Sequence, residues 1–146
     1  MSFSADAYKI AAMDRVLEAA EMYGTERYVM AHYCAGLAVE CMLRAYQVRL
    51  NAEFDAKHNL RKLAKTSKFT DLFPRERSEE YARLFAEVIA RWNNDFRFRS
   101  VKSLRKFLVH FRLYEGVKGD LVKESALRIV NAATRLVELG VSKWKP

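Results

Sequence analysis

The sequence predicts an all-α protein, an antiparallel up-and-down bundle of four main helices with one or two short extra helices. Three observations carry this expectation. The 146 residues include only five Gly and two Pro, too few turn residues for a β-sandwich of this length. Apolar side chains recur at three- and four-residue spacing in segments punctuated by Gly, Asn and Pro. Finally, 51% of the residues are apolar and 30% are charged, which fills one core, keeps a solvated exterior and excludes a disordered or collagenous chain. Residues 1–146 read as a single domain, with no linker composition and no internal repeat.

Ser4 and Asp6 are candidate caps for a first helix ending near Met22, with Ala7, Ile10, Met13, Leu17 and Ala20 as its inward stripe. Tyr23-Gly24 ends it and Thr25 is placed to cap a second helix, Glu26 to Leu50. Between Tyr28 and Leu43 the only polar side chains of that helix besides the tyrosine hydroxyls are His32 and Glu40. A helix so apolar all round is expected at the centre, where Ala31, Ala35, Gly36 and Ala38 let neighbours approach closely. Asn51–Lys57 reads as a polar connection and Asn59–Lys65 as a short basic helix. Pro74 is placed as an early residue of a third long helix reaching Trp92, with Ser78-Glu79-Glu80 as an alternative cap and acidic first turn, and with Tyr81, Leu84, Phe85, Val88 and Ile89 inward. Asn93-Asn94-Asp95 interrupts it, and the alternation Phe96-Arg97-Phe98-Arg99 is too short to specify a strand. A further helix, Val101 to Tyr114, carries Leu104, Phe107, Leu108 and Phe111. Gly116 and Gly119 break it, and Asp120 caps a last helix from Leu121 to about Leu139.

Cys34 and Cys41 are seven residues apart on one helix, about 10 Å along its axis, too far for a disulfide. With no CxxC and no Cys/His cluster, the sequence predicts neither a metal site nor a cofactor, and the cysteines read as small buried hydrophobes in a reducing compartment. The longest stretch without formal charge, Tyr28–Val39, is too short for a bilayer. Met1-Ser2-Phe3-Ser4-Ala5-Asp6 lacks the basic start and apolar run of a signal peptide. The expected location is cytoplasmic, with no membrane partner.

The formal charge of +8 is unevenly spread. Arg91, Arg97, Arg99, Lys102, Arg105, Lys106 and Arg112 face a single carboxylate, Asp95, so the segment from 91 to 112 carries +6. Trp92, Phe96, Phe98, Phe107 and Phe111 are interleaved with them. Guanidinium and ammonium groups hold phosphates while flat rings stack bases, so a single-stranded nucleic acid is the expected polyanion. Arg91, Arg99, Lys102, Lys106 and Arg112 are its candidate contacts.

Glu40, on the apolar second helix, is expected to be a buried structural charge. An unpaired buried carboxylate is costly, so a cation is expected beside it: Arg44 one turn away, with an arginine of the 97–105 segment as the tertiary candidate. Among the histidines, His58 reads as a solvated cap in a basic loop and His32 as a hydrogen-bonded core residue. His110 follows Arg105 in the basic segment, where one phosphate could approach both. No P-loop and no GxSxG occurs.

Residues Ala31 to Tyr46, with Ala35-Gly36-Leu37-Ala38-Val39-Glu40 at their centre, resemble the central helix of HEPN domains (higher eukaryotes and prokaryotes nucleotide-binding). His58-Asn59-Leu60-x-x-Leu63 and Trp92-x-x-Asp95-Phe96-Arg97-Phe98 are similar to two later segments of that family, in the same order. The resemblance implies an all-α bundle, a homodimer and, for many members, a metal-independent endoribonuclease of a toxin–antitoxin or defence system. It implies an Arg, four to six residues and a His as the signature, matched by Arg105…His110 and by Arg27…His32. On the first match, His110 would act on the ribose 2′-hydroxyl while Arg105, with Arg97, holds the scissile phosphate. The alternative it implies is a non-catalytic module that binds a nucleotide or a nucleotidyltransferase-like antitoxin.

Overall fold

Apolar runs place the long helices, and side-chain caps start some of them. A computed structural model describes residues 3–53 and 56–145, and these are all-helical, with no strand among them. Their α-helices are α1 (Ala5–Gly24), α2 (Tyr28–Leu50), α3 (Leu60–Thr66), α4 (Ser78–Arg91), α5 (Val101–His110) and α6 (Leu121–Ser142), with 3-10 turns at Phe69–Leu72, Arg75–Arg77 and Asn94–Phe98. Four of the α-helices are capped by side chains: Ser4 accepts from the Ala7 amide, Asn59 from Lys62, Ser100 from Ser103 and Asp120 from Lys123.

α2 is the centre. It touches α1, α3, α4, α5, α6 and the 94–98 turn, and it buries Ala31, Ala35, Gly36 and Ala38 as well as Val39, Met42 and Leu43. α6 lies against α1, α2, α4 and α5 and buries a face from Val122 to Gly140. No helix among the described residues is long and apolar enough to cross a membrane.

Several local expectations are corrected. On α1 the buried residues are Ala12 and Ala19, whereas Ile10, Met13 and Leu17 are exposed, Leu17 by 69%. Two alanines spaced by seven let the backbone of α1 approach α2 closely along its length, so the small face goes in and the bulky stripe is left outside. Thr25 closes α1 rather than capping α2, its hydroxyl bonded to the carbonyls of Glu21 and Met22. The left-handed turn falls on Glu26 (φ 63°) instead of Gly24. Ser78 is the first residue of α4, not its cap. The Phe96–Arg99 alternation is mostly a 3-10 turn, fixed by the Asn93 side chain accepting from the Asp95 amide. α5 stops at His110, four residues short of Tyr114, because Arg112 turns left-handed (φ 56°).

Candidate nucleic-acid interface

α5 buries Leu104 and Leu108 and thereby turns Lys102, Arg105, Lys106, Val109 and His110 outward. The turn before it exposes Arg97 and Phe98, the latter by 77%, and the residues after it expose Phe111 (56%) and Arg112. The Arg97 guanidinium lies over the Phe98 ring, 4.7 Å from its centroid, and the His110 ring meets Phe111 edge-on at 4.8 Å. Arg99 is half-buried and fixed: Nε donates to Asp95 (3.4 Å), Nη1 donates to the Ser103 hydroxyl (3.0 Å), and the group sits above the rings of Phe96 and Phe107. No side-chain hydrogen bond or ion pair engages Lys102, Arg105, Lys106 or His110 among the described residues.

Arg91 belongs to the interior instead. It is 3% exposed, its Nε donates to Glu87 and its Nη1 donates to the Ser125 hydroxyl at 3.0 Å. Trp92 and Phe96 are buried too. What remains outside is Arg97, Arg99, Lys102, Arg105, Lys106 and Arg112 against Asp95, a net +5, with Phe98 and Phe111 as the accessible rings.

Arg105 and His110 are both exposed, but five residues turn a helix by about 140° and advance it by about 7.5 Å. Lys102 and Val109 share the side of Arg105, and Lys106 shares that of His110. The other match is divided more completely. Arg27 is exposed and donates to the Thr25 hydroxyl, whereas His32 is fully buried.

His32 forms a chain that sequence reading does not reveal. Its two ring nitrogens lie 2.8 Å from the Tyr28 carbonyl and 2.8 Å from Ser125 Oγ. The carbonyl can only accept and Arg91 can only donate. Nδ1–H therefore donates to Tyr28, and the Ser125 hydroxyl accepts from Arg91 while donating to Nε2. Burial, with a smaller contribution from the Arg91 charge, pulls the imidazole pKa down to about 4. Ser125 has zero exposure, so this Ser–His pair reaches no substrate and serves to join α2, α4 and α6.

Glu40 is 4% exposed and accepts from Arg44 Nε (3.2 Å) and His58 Nδ1 (2.9 Å). The expected arginine of the 97–105 segment is thus replaced by His58, which is tied to the carboxylate rather than solvated as a free cap. Arg44 also donates to the Lys57 carbonyl. Because His58 is half-exposed and Arg44 is partly so, water can take up the hydrogen-bond donors left by Glu40→Ala. The expected cost is therefore about 1.5–3 kcal/mol, that of charge-assisted hydrogen bonds, below the 3–5 kcal/mol of a fully buried pair. Urea unfolding of Glu40→Ala and Glu40→Gln checks this, with the glutamine variant retaining part of the stability.

The three sequence segments singled out above meet in space. Trp92 lies on Gly36 and donates its indole N–H to the Tyr33 carbonyl (3.0 Å), and His58 holds Glu40. Between them runs a cleft of about 330 Å³, bordered by His58, Asn59 and Arg61 on one side and by Trp92, Asn93 and Asn94 on the other. Both cysteines are free and buried, and burial raises both thiol pKa values, that of Cys41 to about 11. Comparison with protein-family models, curated proteins and solved structures finds no match to this chain.

Proposed function

We propose that this chain is a HEPN-like RNA-binding protein that holds single-stranded RNA on the outer face of α5 and the turn before it. The observation that carries the reading is the unpaired set Lys102, Arg105 and Lys106 beside the exposed rings of Phe98 and Phe111. Cations without internal partners are free to bind phosphates, and exposed rings offer stacking faces. The same reading takes α1, α2, α4 and α6 as the four helices of an antiparallel up-and-down bundle, acting in the cytoplasm as a homodimer. In its catalytic form the protein is a metal-independent endoribonuclease of a toxin–antitoxin or defence system. Convergence of Arg105 and His110 on one phosphate across the roughly 140° between them then relies on the reach of the arginine side chain. A second reading, a non-catalytic module for a nucleotide or a nucleotidyltransferase-like partner, is favoured by that same separation.

Binding to single-stranded RNA is expected to weaken steeply with salt as phosphate contacts release counterions. Lys102→Ala with Lys106→Ala removes two such contacts and should flatten the slope of log affinity against log salt by about 1.4. Phe98→Ala should cost about 1–3 kcal/mol of affinity with little change of slope. Fluorescence anisotropy across a salt series measures both, and unchanged slopes would remove α5 from the interface. The catalytic form predicts RNA cleavage in the presence of a chelator, blocked by a 2′-deoxy substitution at the cut and lost in His110→Ala, which still binds RNA. An absence of cleavage with intact binding assigns the protein to the second reading.

A further inference from the structure

Two unpartnered surfaces of this chain complement each other. The outer face of α1 exposes Ile10, Met13 and Leu17, and helical geometry puts Asp6, Asp14 and Glu21 on the same side. No ion pair holds any of these three carboxylates among the described residues. In a chain of net charge +8 this face is acidic. The second surface is a groove of about 580 Å³ between α3 and α4. Ala82, Phe85, Ala86 and Ile89 line it from α4, and Arg61, Lys65 and Lys68 line its other edge against one carboxylate, Asp71. These three cations are exposed and none has an ion pair among the described residues. Ala82 and Ala86 are exposed one turn apart, so the backbone of an incoming helix can approach α4 closely, as α1 approaches α2 through its own alanines.

We infer that α1 of one copy docks in the α3–α4 groove of a second copy. Ile10, Met13 and Leu17 cover the alanine wall, while Asp14 and Glu21 meet Arg61, Lys65 and Lys68. Asp14 and Glu21 are seven residues apart on α1, about 10 Å along its axis, and Arg61 and Lys65 lie one turn apart on α3 with Lys68 just beyond its end. Packing α1 against the α1 of another copy would instead oppose two acidic faces, and like charges across an interface are unfavourable. Neither surface includes α5, so this inference goes beyond the RNA reading. It does give the expected homodimer a definite contact: two unlike surfaces, each present on every copy.

Sedimentation equilibrium of the full chain tests it by complementation. Leu17→Asp removes the apolar ridge, and Arg61→Glu with Lys65→Glu reverses the groove; all three positions are exposed, so the fold is retained, as circular dichroism verifies. Wild type should self-associate in the micromolar range, more weakly as salt rises. Each variant alone should be monomeric. Their equimolar mixture should recover a one-to-one dimer, because the intact groove of the first accepts the intact α1 of the second. Self-association of Arg61→Glu/Lys65→Glu alone would overturn the inference in favour of α1 against α1. A wild type that stays monomeric would overturn it too, as would a mixture that fails to pair. RNA affinity of Leu17→Asp, which alters no cation of α5, reports separately on the RNA reading.

Discussion

Gly36→Ala is expected to destabilise the protein by about 3–4 kcal/mol, although alanine is the better helix former by up to about 1 kcal/mol. A Cβ at Gly36 falls among the ring atoms of Trp92, on Cδ1, Cγ and Nε1, far inside a normal carbon–carbon contact of about 3.5 Å. The obstacle is a rigid ring that is 6% exposed and tied through Nε1–H to the Tyr33 carbonyl. To make room, the ring must leave both its packing and that hydrogen bond. For a domain of this size the loss corresponds to a fall in Tm of about 10 °C. Gly140→Ala is the instructive contrast. Its Cβ meets Met42 Sδ at 2.5 Å, but a thioether chain with three rotatable bonds can move aside. In a Trp92→Leu background Gly36→Ala should cost much less, and a double-mutant cycle by thermal unfolding measures the coupling. A melting temperature for Gly36→Ala at or above that of wild type would show that Trp92 does not lie on α2.

The second large effect is the pH dependence contributed by His32. Its folded pKa of about 4 lies below the ordinary histidine value of 6.5, so between these values the unfolded chain binds a proton that the folded chain refuses. Stability therefore falls as pH drops from about 6.5 to about 4, and the contribution is level outside that window. At 1.36 kcal/mol per unit the total approaches about 3 kcal/mol. The physical cause is that a protonated ring would need charge solvation where only the Tyr28 carbonyl and a hydroxyl already engaged by Arg91 are available. Glu80, held down to about 2 by hydrogen bonds from Arg77 and Arg135, loses its own contribution over a lower range, from its ordinary value of 4.5 down to about 2. Urea unfolding at several pH values, compared between wild type and His32→Gln, isolates the histidine. The variant should have lower stability at pH 7 and a flatter profile down to pH 4. Parallel profiles would place the loss of stability in other groups.

Caps and periodicities accounted for much of the fold. Ser4 and Asp120 cap the helices expected of them, and the apolar run from Tyr28 to Leu43 is the central helix, because a segment apolar on every side is stable only when covered on every side. The basic segment was legible as a charge excess, since counting charges needs no coordinates. Its division into an outer set and a buried Arg91 was not. Arg91 resembles its neighbours in sequence, and its burial is supported by Ser125 on α6 together with Glu87 one turn earlier.

The sequence by itself determined which segments are helical, which helix is central and that the charge of the chain concentrates around α5, because propensity, hydrophobic period and net charge are local sums. Tertiary structure decided which of two apolar faces of α1 is buried, that Glu40 meets His58 rather than an arginine, and that His32 meets Ser125. Each of these depends on the distance between backbones and on groups 18 to 93 residues apart in the chain. A close approach of α1 to α2 rewards alanines over larger side chains, a preference that no periodicity within α1 encodes.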